Sequence, residues 1–227
     1  MSDVVPVMVV AEGASEQRFV TEVLAPYFWS RGIYLQATQI SKKGQKGGDV
    51  KFSRARRDVV NFLRQRPDIY VATFVDYYGV KEWPGLDEVR QLQNPSPDVI
   101  AEKLNVSAIV DVQRELVGVP VWRRYLPFVA VHEFEALLFS DVEILAEGLD
   151  VDGAIVEDVV AACGSPERIN NGVETSPSNR ILKWTNGRYG KTSQGIAIAA
   201  RIGLEKMRRA CPNFGAWLSR LESLPNR

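Results

Sequence analysis

The chain is poor in the residues from which many sites are built. Its 227 residues include one histidine, His132, and two cysteines, Cys163 and Cys211. With a single histidine, histidine-based metal centres and catalytic triads have almost nothing to work with. His132 reads more naturally as a structural side chain beside a site than as its centre. The two cysteines lie far apart and lack paired metal-ligand spacing, which fits a reduced, cytoplasmic protein. Long apolar runs are missing too. The longest near the start, Val4-Val5-Pro6-Val7-Met8-Val9-Val10, is too short to span a bilayer. It also lacks the basic leader and cleavage pattern of a signal peptide, so no membrane role is expected. There is no net charge either, with 28 basic and 28 acidic residues. A phosphate-binding loop is absent as well. Gly190-Lys191-Thr192 resembles the end of one, but the glycine required five positions before Gly190 is Thr185.

What the chain does have is an ordinary globular composition, 45% hydrophobic and 25% charged, enough for one buried core. Its charges are segregated. Between Lys42 and Arg66 stand nine basic residues (Lys42, Lys43, Lys46, Lys51, Arg54, Arg56, Arg57, Arg64 and Arg66) against Asp49 and Asp58. From Tyr125 to Glu167 there are ten acids and no lysine or arginine. Charge runs are commonly just solvated faces. Segregation on this scale also makes local fields that suit a phosphate backbone at one place and a cation at another.

Periodicity predicts strands at Val7–Val10, Ile33–Ile40, Ile69–Val75 and Leu126–Val131, Pro6 marking the first strand's start. A helix follows the first strand from Ala14 or Ser15 to about Ser30, and a basic amphipathic helix covers Phe52–Gln65. The stretch Tyr77–Pro97 reads as loop. A helix from Pro97 to Leu116, with a break near Asn105, precedes the fourth strand. Helices are then expected at Glu133–Phe139, Val142–Glu147, Val151–Cys163, Ser178–Lys183, Gln194–Arg209 and Asn213–Leu224. Strands alternating with helices predict an α/β fold, a mainly parallel sheet flanked by helices with a helical C-terminal half. No repeat or linker interrupts the pattern. The chain reads as a single domain over 1–227, an α/β core at 1–140 and a helical extension at 141–227.

Ligands of open parallel sheets bind at the carboxyl ends of the strands. Three of the expected strands end on acids: the first at Glu12, the third at Asp76, the fourth at Glu133 and Glu135. Glu16, one helical turn past Glu12, points back to the same edge, although an acid there also suits a helix start. Converging carboxylates repel unless a cation compensates them, and their oxygens suit Mg²⁺ or Mn²⁺. The expected metal ligands are therefore Glu12, Glu16, Asp76, Glu133 and Glu135, with Glu135 preferred to Glu133.

Glu12-Gly13-Ala14-Ser15-Glu16 and Phe74-Val75-Asp76-Tyr77-Tyr78-Gly79, each after an apolar strand, resemble the two signature motifs of the Toprim fold. The fuller pattern is similar to the Toprim-like bacterial domain-of-unknown-function family numbered 4276, related to nucleases of the OLD (overcome lysogenization defect) family. Its later motifs match His132-Glu133-Phe134-Glu135-Ala136-Leu137-Leu138-Phe139-Ser140-Asp141, Pro177-Ser178-Asn179-Arg180-Ile181, Tyr189-Gly190-Lys191 and Cys211-Pro212-Asn213-Phe214. The resemblance implies a Toprim-like sheet in which Glu12 is the glutamate after the first strand and Asp76 the first aspartate of an Asp-x-Asp pair. Tyr78 stands where the second aspartate belongs, which argues against topoisomerase or primase activity. Glu16 resembles the second acid of the OLD-type nucleases.

The function expected is that of a metal-dependent nuclease subunit acting on DNA or RNA, and the OLD resemblance implies a setting in phage defence or DNA repair. Glu12 and Asp76 are its catalytic acids, and Lys191 neutralises transition-state charge, with Arg180 as the second candidate. The segregated cations Lys42, Lys43, Lys46, Lys51, Arg54 and Arg57, together with Arg180, are expected to meet nucleic acid. Tyr77 and Tyr78 are placed to stack on bases or to fill space beside the sheet edge. Any ATP dependence would be supplied in trans by a partner ATPase, and the chain is open to forming a homo-oligomer. The alternatives are a degenerate Toprim module that binds nucleic acid or a partner protein, and phosphoryl chemistry on a small nucleotide.

Overall fold

The structure, a computed structural model, describes residues 4–41, 50–131, 133–169, 172 and 174–225. Lys42, Lys43, Lys46 and His132 lie outside the described residues.

The described residues form six strands: β1 (Val5–Ala11), β2 (Ile33–Gln39), β3 (Val50–Lys51), β4 (Tyr70–Asp76), β5 (Val80–Glu82) and β6 (Tyr125–Ala130). β2-β1-β4-β6 form one sheet, and every pairing in it is parallel. β4, at its centre, is buried along its whole length, as its largely apolar sequence predicts. β1 begins before Pro6, not after it. The register against β4 starts only at Val7, so Pro6 pairs with β2 alone and β4 asks no hydrogen bond of it. Pro127 is tolerated in β6 because β6 is an edge strand.

The helix after β1 comprises α1 (Ala14–Phe19), a wide π-type turn (Val20–Leu24) and α2 (Ala25–Trp29). The wide turn runs up to Pro26, which lacks an N–H and whose ring crowds the carbonyl four residues earlier. α3 (Phe52–Gln65) has the boundaries expected of the basic helix. The stretch read as loop contains β5, which pairs with β3 in a small second sheet, and α4 (Leu86–Arg90). α5 (Pro97–Glu115) runs without a break at Asn105. That side chain turns inward and accepts a hydrogen bond from the Val129 N–H at 3.2 Å. α6 (Val121–Arg124) leads into β6.

The C-terminal half contains α7 (Val142–Leu149), α8 (Gly153–Cys163), α9 (Pro177–Trp184), α10 (Ile196–Ile202), α11 (Leu204–Ala210) and α12 (Pro212–Glu222). Two expectations change here. The segment Phe134–Ser140 is a 3₁₀ helix, with every side chain from Phe134 to Phe139 buried. The helix expected over Gln194–Arg209 breaks at Gly203, whose φ of 77° favours glycine, into α10 and α11.

One face of the sheet packs against α3, α4, α5 and α6. The other packs against α1, α2 and the C-terminal helices. The C-terminal half therefore shares a core with the sheet. Trp217 of α12 stacks on Phe128 of β6 at 4.9 Å, and its Nε1 donates to the Leu126 carbonyl at 3.2 Å. Phe19 packs against Phe74, Phe134 and Phe214 at 6.0, 5.0 and 6.0 Å. Each such pair contributes about 0.5–1.5 kcal/mol beyond its buried area. Phe19 thus pins α1 against the sheet and sets the position of Glu16 one turn earlier.

Candidate functional site

Parallel pairing brings the carboxyl ends of β1, β4 and β6 to one edge. Ala11 lies opposite Phe74 and Asp76 opposite Ala130. The Glu12 N–H donates to the Phe74 carbonyl at 2.9 Å, and the Asp76 N–H donates to Glu12 Oε2 at 2.9 Å. Glu12 is thereby clamped beside Asp76 as the ladder ends. Glu16 reaches the same place from α1 and is 3% exposed. Gly13 leaves room for it, since a Cβ at that position would sit 3.2 Å from Glu16 Oε2.

The segment after β6 divides its two acids. Phe134 is driven into the core, so the flanking glutamates diverge. The Glu133 carboxylate accepts from the Ser178 N–H at 2.8 Å and Ser178 Oγ at 2.9 Å, in the first turn of α9. An anion there satisfies otherwise orphaned donors and meets the positive end of the helix dipole. Glu135, 0% exposed, turns to the sheet edge.

Lys191 completes the group. It begins a wide π-type turn (Lys191–Gly195) that continues into α10, a local widening that is frequent at functional sites. Its Nζ lies 3.0 Å from Glu135 Oε2, 3.9 Å from Glu16 Oε1 and 4.0 Å from Asp76 Oδ2. Three carboxylates thus gather round one ammonium, with Glu12 beside Asp76. The side chain of Lys191 keeps 39% of its exposure, so the cluster opens to solvent along it.

Burial, followed by the negative charge of Glu16, pushes the Asp76 carboxyl well above its usual range, with Lys191 opposing. Burial also pushes Glu135 up to about 7, again against Lys191. Burial works against the Lys191 charge, but Glu135, Asp76 and Glu16 outweigh it and hold the ammonium more firmly protonated than usual. Asp76 Oδ1 and Glu135 Oε1 are buried with no hydrogen-bond partner, and leaving such atoms unsatisfied is costly.

These features fit a hard cation in kind: the donors are all oxygen, negative charge is in excess, and two buried oxygens lack partners. The disposition is different. Among the described residues no three acids, cysteines or histidines are grouped to hold a metal. The Lys191 ammonium lies among the carboxylates instead.

Tyr189 is a member of the site that the sequence reading named only as part of a motif. Its ring is buried against Gly195, where a Cβ would approach the hydroxyl to 2.3 Å. Burial, and then the Glu135 charge, raise its pKa. Its place two residues before Lys191 was the only sign of it in the sequence. Tyr77 is half-buried against the apolar core and Tyr78 is exposed.

The basic segment is less free than its sequence suggests. Lys51 pairs with Glu82 at 3.1 Å, Arg56 with Asp111 and Glu115 at 2.7 and 2.9 Å, and Arg57 with Asp58 at 3.8 Å. Arg64 reaches Glu115 at 3.7 Å and Arg66 reaches Asp68 at 2.7 Å. Arg54 lies on α3. Arg180 lies on α9, with its Nε donating to the Thr175 carbonyl at 2.7 Å. No helix among the described residues is long and apolar enough to cross a membrane.

No curated protein matches the chain. The C-terminal region of the Burkholderia pseudomallei OLD protein is a structural neighbour at 12% identity and a TM-score of 0.47, covering 95% of this chain and 98% of that one. A family model, described as a domain of unknown function (DUF4276), matches residues 11–222, nearly the whole chain, from the end of β1 to the end of α12. The chain belongs to that family.

Proposed function

We propose that the chain is a divalent-metal-dependent phosphodiesterase acting on nucleic acid, with a Toprim-like acidic centre. One observation carries this reading: Asp76, Glu135 and Glu16, with buried oxygens lacking partners, converge on the Lys191 ammonium at the carboxyl edge of a parallel sheet. Glu12, Glu16, Asp76 and Glu135 would hold Mg²⁺ or Mn²⁺. Bound there, the ion would supply Lewis-acid polarisation of a phosphate and a more acidic water. Glu12 and Asp76, joined through the Asp76 N–H, act as one rigid pair of oxygen donors. Glu133 belongs to the support, holding α9 against the segment that carries Glu135. Lys191 neutralises charge that builds on the phosphoryl oxygens. Any dependence on ATP would come from a partner ATPase.

The experiment is cleavage of plasmid, linear duplex and single-stranded DNA and RNA in Mg²⁺, Mn²⁺ and EDTA, for the wild type, Asp76→Asn and Glu12→Gln. Metal-dependent cleavage lost in both folded variants supports the assignment. Cleavage that survives both would place the chemistry elsewhere.

A second reading is a non-catalytic module that binds nucleic acid or a partner protein. It is favoured by the ammonium among the carboxylates and by the absence of a three-acid metal grouping among the described residues. Failure of Mn²⁺ to bind at all would favour it.

A further inference from the structure

Cations that could meet a phosphate backbone are unevenly committed in this fold. On and beside α3, Lys51, Arg56, Arg57, Arg64 and Arg66 all have carboxylates within ion-pair distance. Around α9 the pattern reverses. Arg180 and Arg188 donate through Nε only to the backbone carbonyls of Thr175 and Thr185, at 2.7 and 3.2 Å. Among the described residues neither they nor Lys183 has an acidic partner. Cations left without counter-ions carry a field that paired ones do not.

Arg180 and Lys183 border a space, and Arg188 follows five residues after Lys183. A cavity of about 630 Å³ is lined by Glu174, Thr175, Asn179, Arg180, Lys183 and Trp184. Glu174 brings one negative charge against two positive ones. Trp184 is half-buried, leaning on Phe139 at 5.9 Å, and its indole forms part of the wall. Basic side chains beside an aromatic face are the combination that holds single strands, phosphates to the cations and a base to the ring. The volume is in the range of small-ligand pockets, too confined for the width of a duplex.

The cavity is tied to the acidic cluster at both ends of α9. At its start, Ser178 is held by Glu133, two residues from the Glu135 that faces Lys191. Two residues of chain span at most about 7 Å. At its end, Asn186 and Gly187 turn the chain through left-handed conformations, φ 49° and 75°, towards Arg188, Tyr189 and Lys191.

We infer that the cavity along α9 is a groove for single-stranded nucleic acid, with Arg180, Lys183 and Arg188 on phosphates and Trp184 against a base, feeding the strand to the acidic cluster. The inference rests on the proposed function and names the substrate-binding surface for it. It moves the main backbone contact from the segment 42–57, where the sequence pattern put most of it, to α9.

The test is equilibrium binding of labelled single-stranded DNA, single-stranded RNA and duplex DNA, in EDTA so that cleavage does not intervene. Proteins compared are the wild type, Lys183→Glu with Arg188→Glu, Trp184→Ala, and Arg54→Glu with Arg57→Glu. Lys183→Glu alone removes no side-chain hydrogen bond or ion pair among the described residues and keeps the test readable if a double variant fails to fold. Expected is a loss of roughly tenfold or more for the α9 double variant and a salt slope shallower by about 1.4, two cations at about 0.7 each for single strands. The α3 double variant should lose less. The DNA and RNA arms show which strand the groove prefers. A larger loss from the α3 variant, or binding of duplex in preference to both single strands, overturns the groove while leaving the cleavage reading intact. A wild type that binds no nucleic acid overturns both.

Discussion

The Lys191 ammonium stands 3.0 Å from Glu135 Oε2, 3.9 Å from Glu16 Oε1 and 4.0 Å from Asp76 Oδ2. This cation among three carboxylates plays, in the metal-free protein, the compensating part that a divalent ion would otherwise play. Lys191→Met should therefore destabilise the protein in EDTA by about 1–3 kcal/mol, a buried-pair loss discounted for the partial exposure of Lys191. Mn²⁺ should restore more stability to the variant than it adds to the wild type. Thermal melts in EDTA and in Mn²⁺ measure both. An unchanged melting temperature in EDTA would mean that the ion pair does no stabilising work.

Glu133 and Glu135, two residues apart, should separate cleanly. Glu133→Ala removes the carboxylate on the first turn of α9 and should cost about 0.5–2 kcal/mol, like other lost helix caps, while leaving Mn²⁺ binding in place. Glu135→Gln keeps the shape and should abolish most of the Mn²⁺-dependent stabilisation. Calorimetric titration of each variant decides the matter. Equal losses of metal binding would erase the distinction.

The pH dependence follows from the direction of the shifts. Burial raises Glu135 from 4.5 to about 7 and raises Asp76 in the same direction. A carboxyl raised in the folded state stabilises fully below its unfolded pKa, and that contribution is lost as pH climbs through the folded value. Metal-free wild type should therefore lose stability relative to Glu135→Gln between pH 4.5 and about 7. Mn²⁺ affinity should rise over the same window, because the ligand must be deprotonated. Denaturant melts and metal titrations across the window from pH 4.5 to about 7 test the two trends. A flat difference between the proteins would contradict the burial of this carboxyl.

Gly195→Ala reverses the ordinary expectation for glycine at a helix start. Alanine usually stabilises a helix by about 0.5–1 kcal/mol. Here its Cβ would meet the Tyr189 hydroxyl at 2.3 Å and the ring carbon that carries it at 3.2 Å. The variant should be destabilised by about 1–3 kcal/mol, the usual cost of overpacking. Adding Tyr189→Phe should recover part of the loss. Chemical denaturation of the single and double variants checks it, and a stabilised Gly195→Ala would show that the ring moves freely.

Much of the fold was legible in the sequence because its signals are local. The apolar run of β4 and the 3.6-residue period of α3 need no partner to be read. Elements held by distant pairings were missed. β5 exists only because β3 lies beside it, and nothing in Val80-Lys81-Glu82 announces it. Phe134–Ser140 looked like an α-helix since its apolar residues fit that period, but burial on all sides drew it into the narrower 3₁₀ form.

The sequence alone determined the family, the parallel α/β order, and the acids at strand ends, because a parallel sheet gathers those ends at one edge whatever else the chain does. Only the tertiary structure decided which acids share a space. It turned Glu133 to Ser178 and Glu135 to Lys191, since Phe134 between them had to be buried. It also decided which cations stay available. Arg56 and Arg64 found Asp111 and Glu115 on α5, far along the chain, while Lys183 and Arg188 near α9 found no acid among the described residues. Charge in a sequence is a sum over residues, whereas the field at a site depends on distances that packing alone sets.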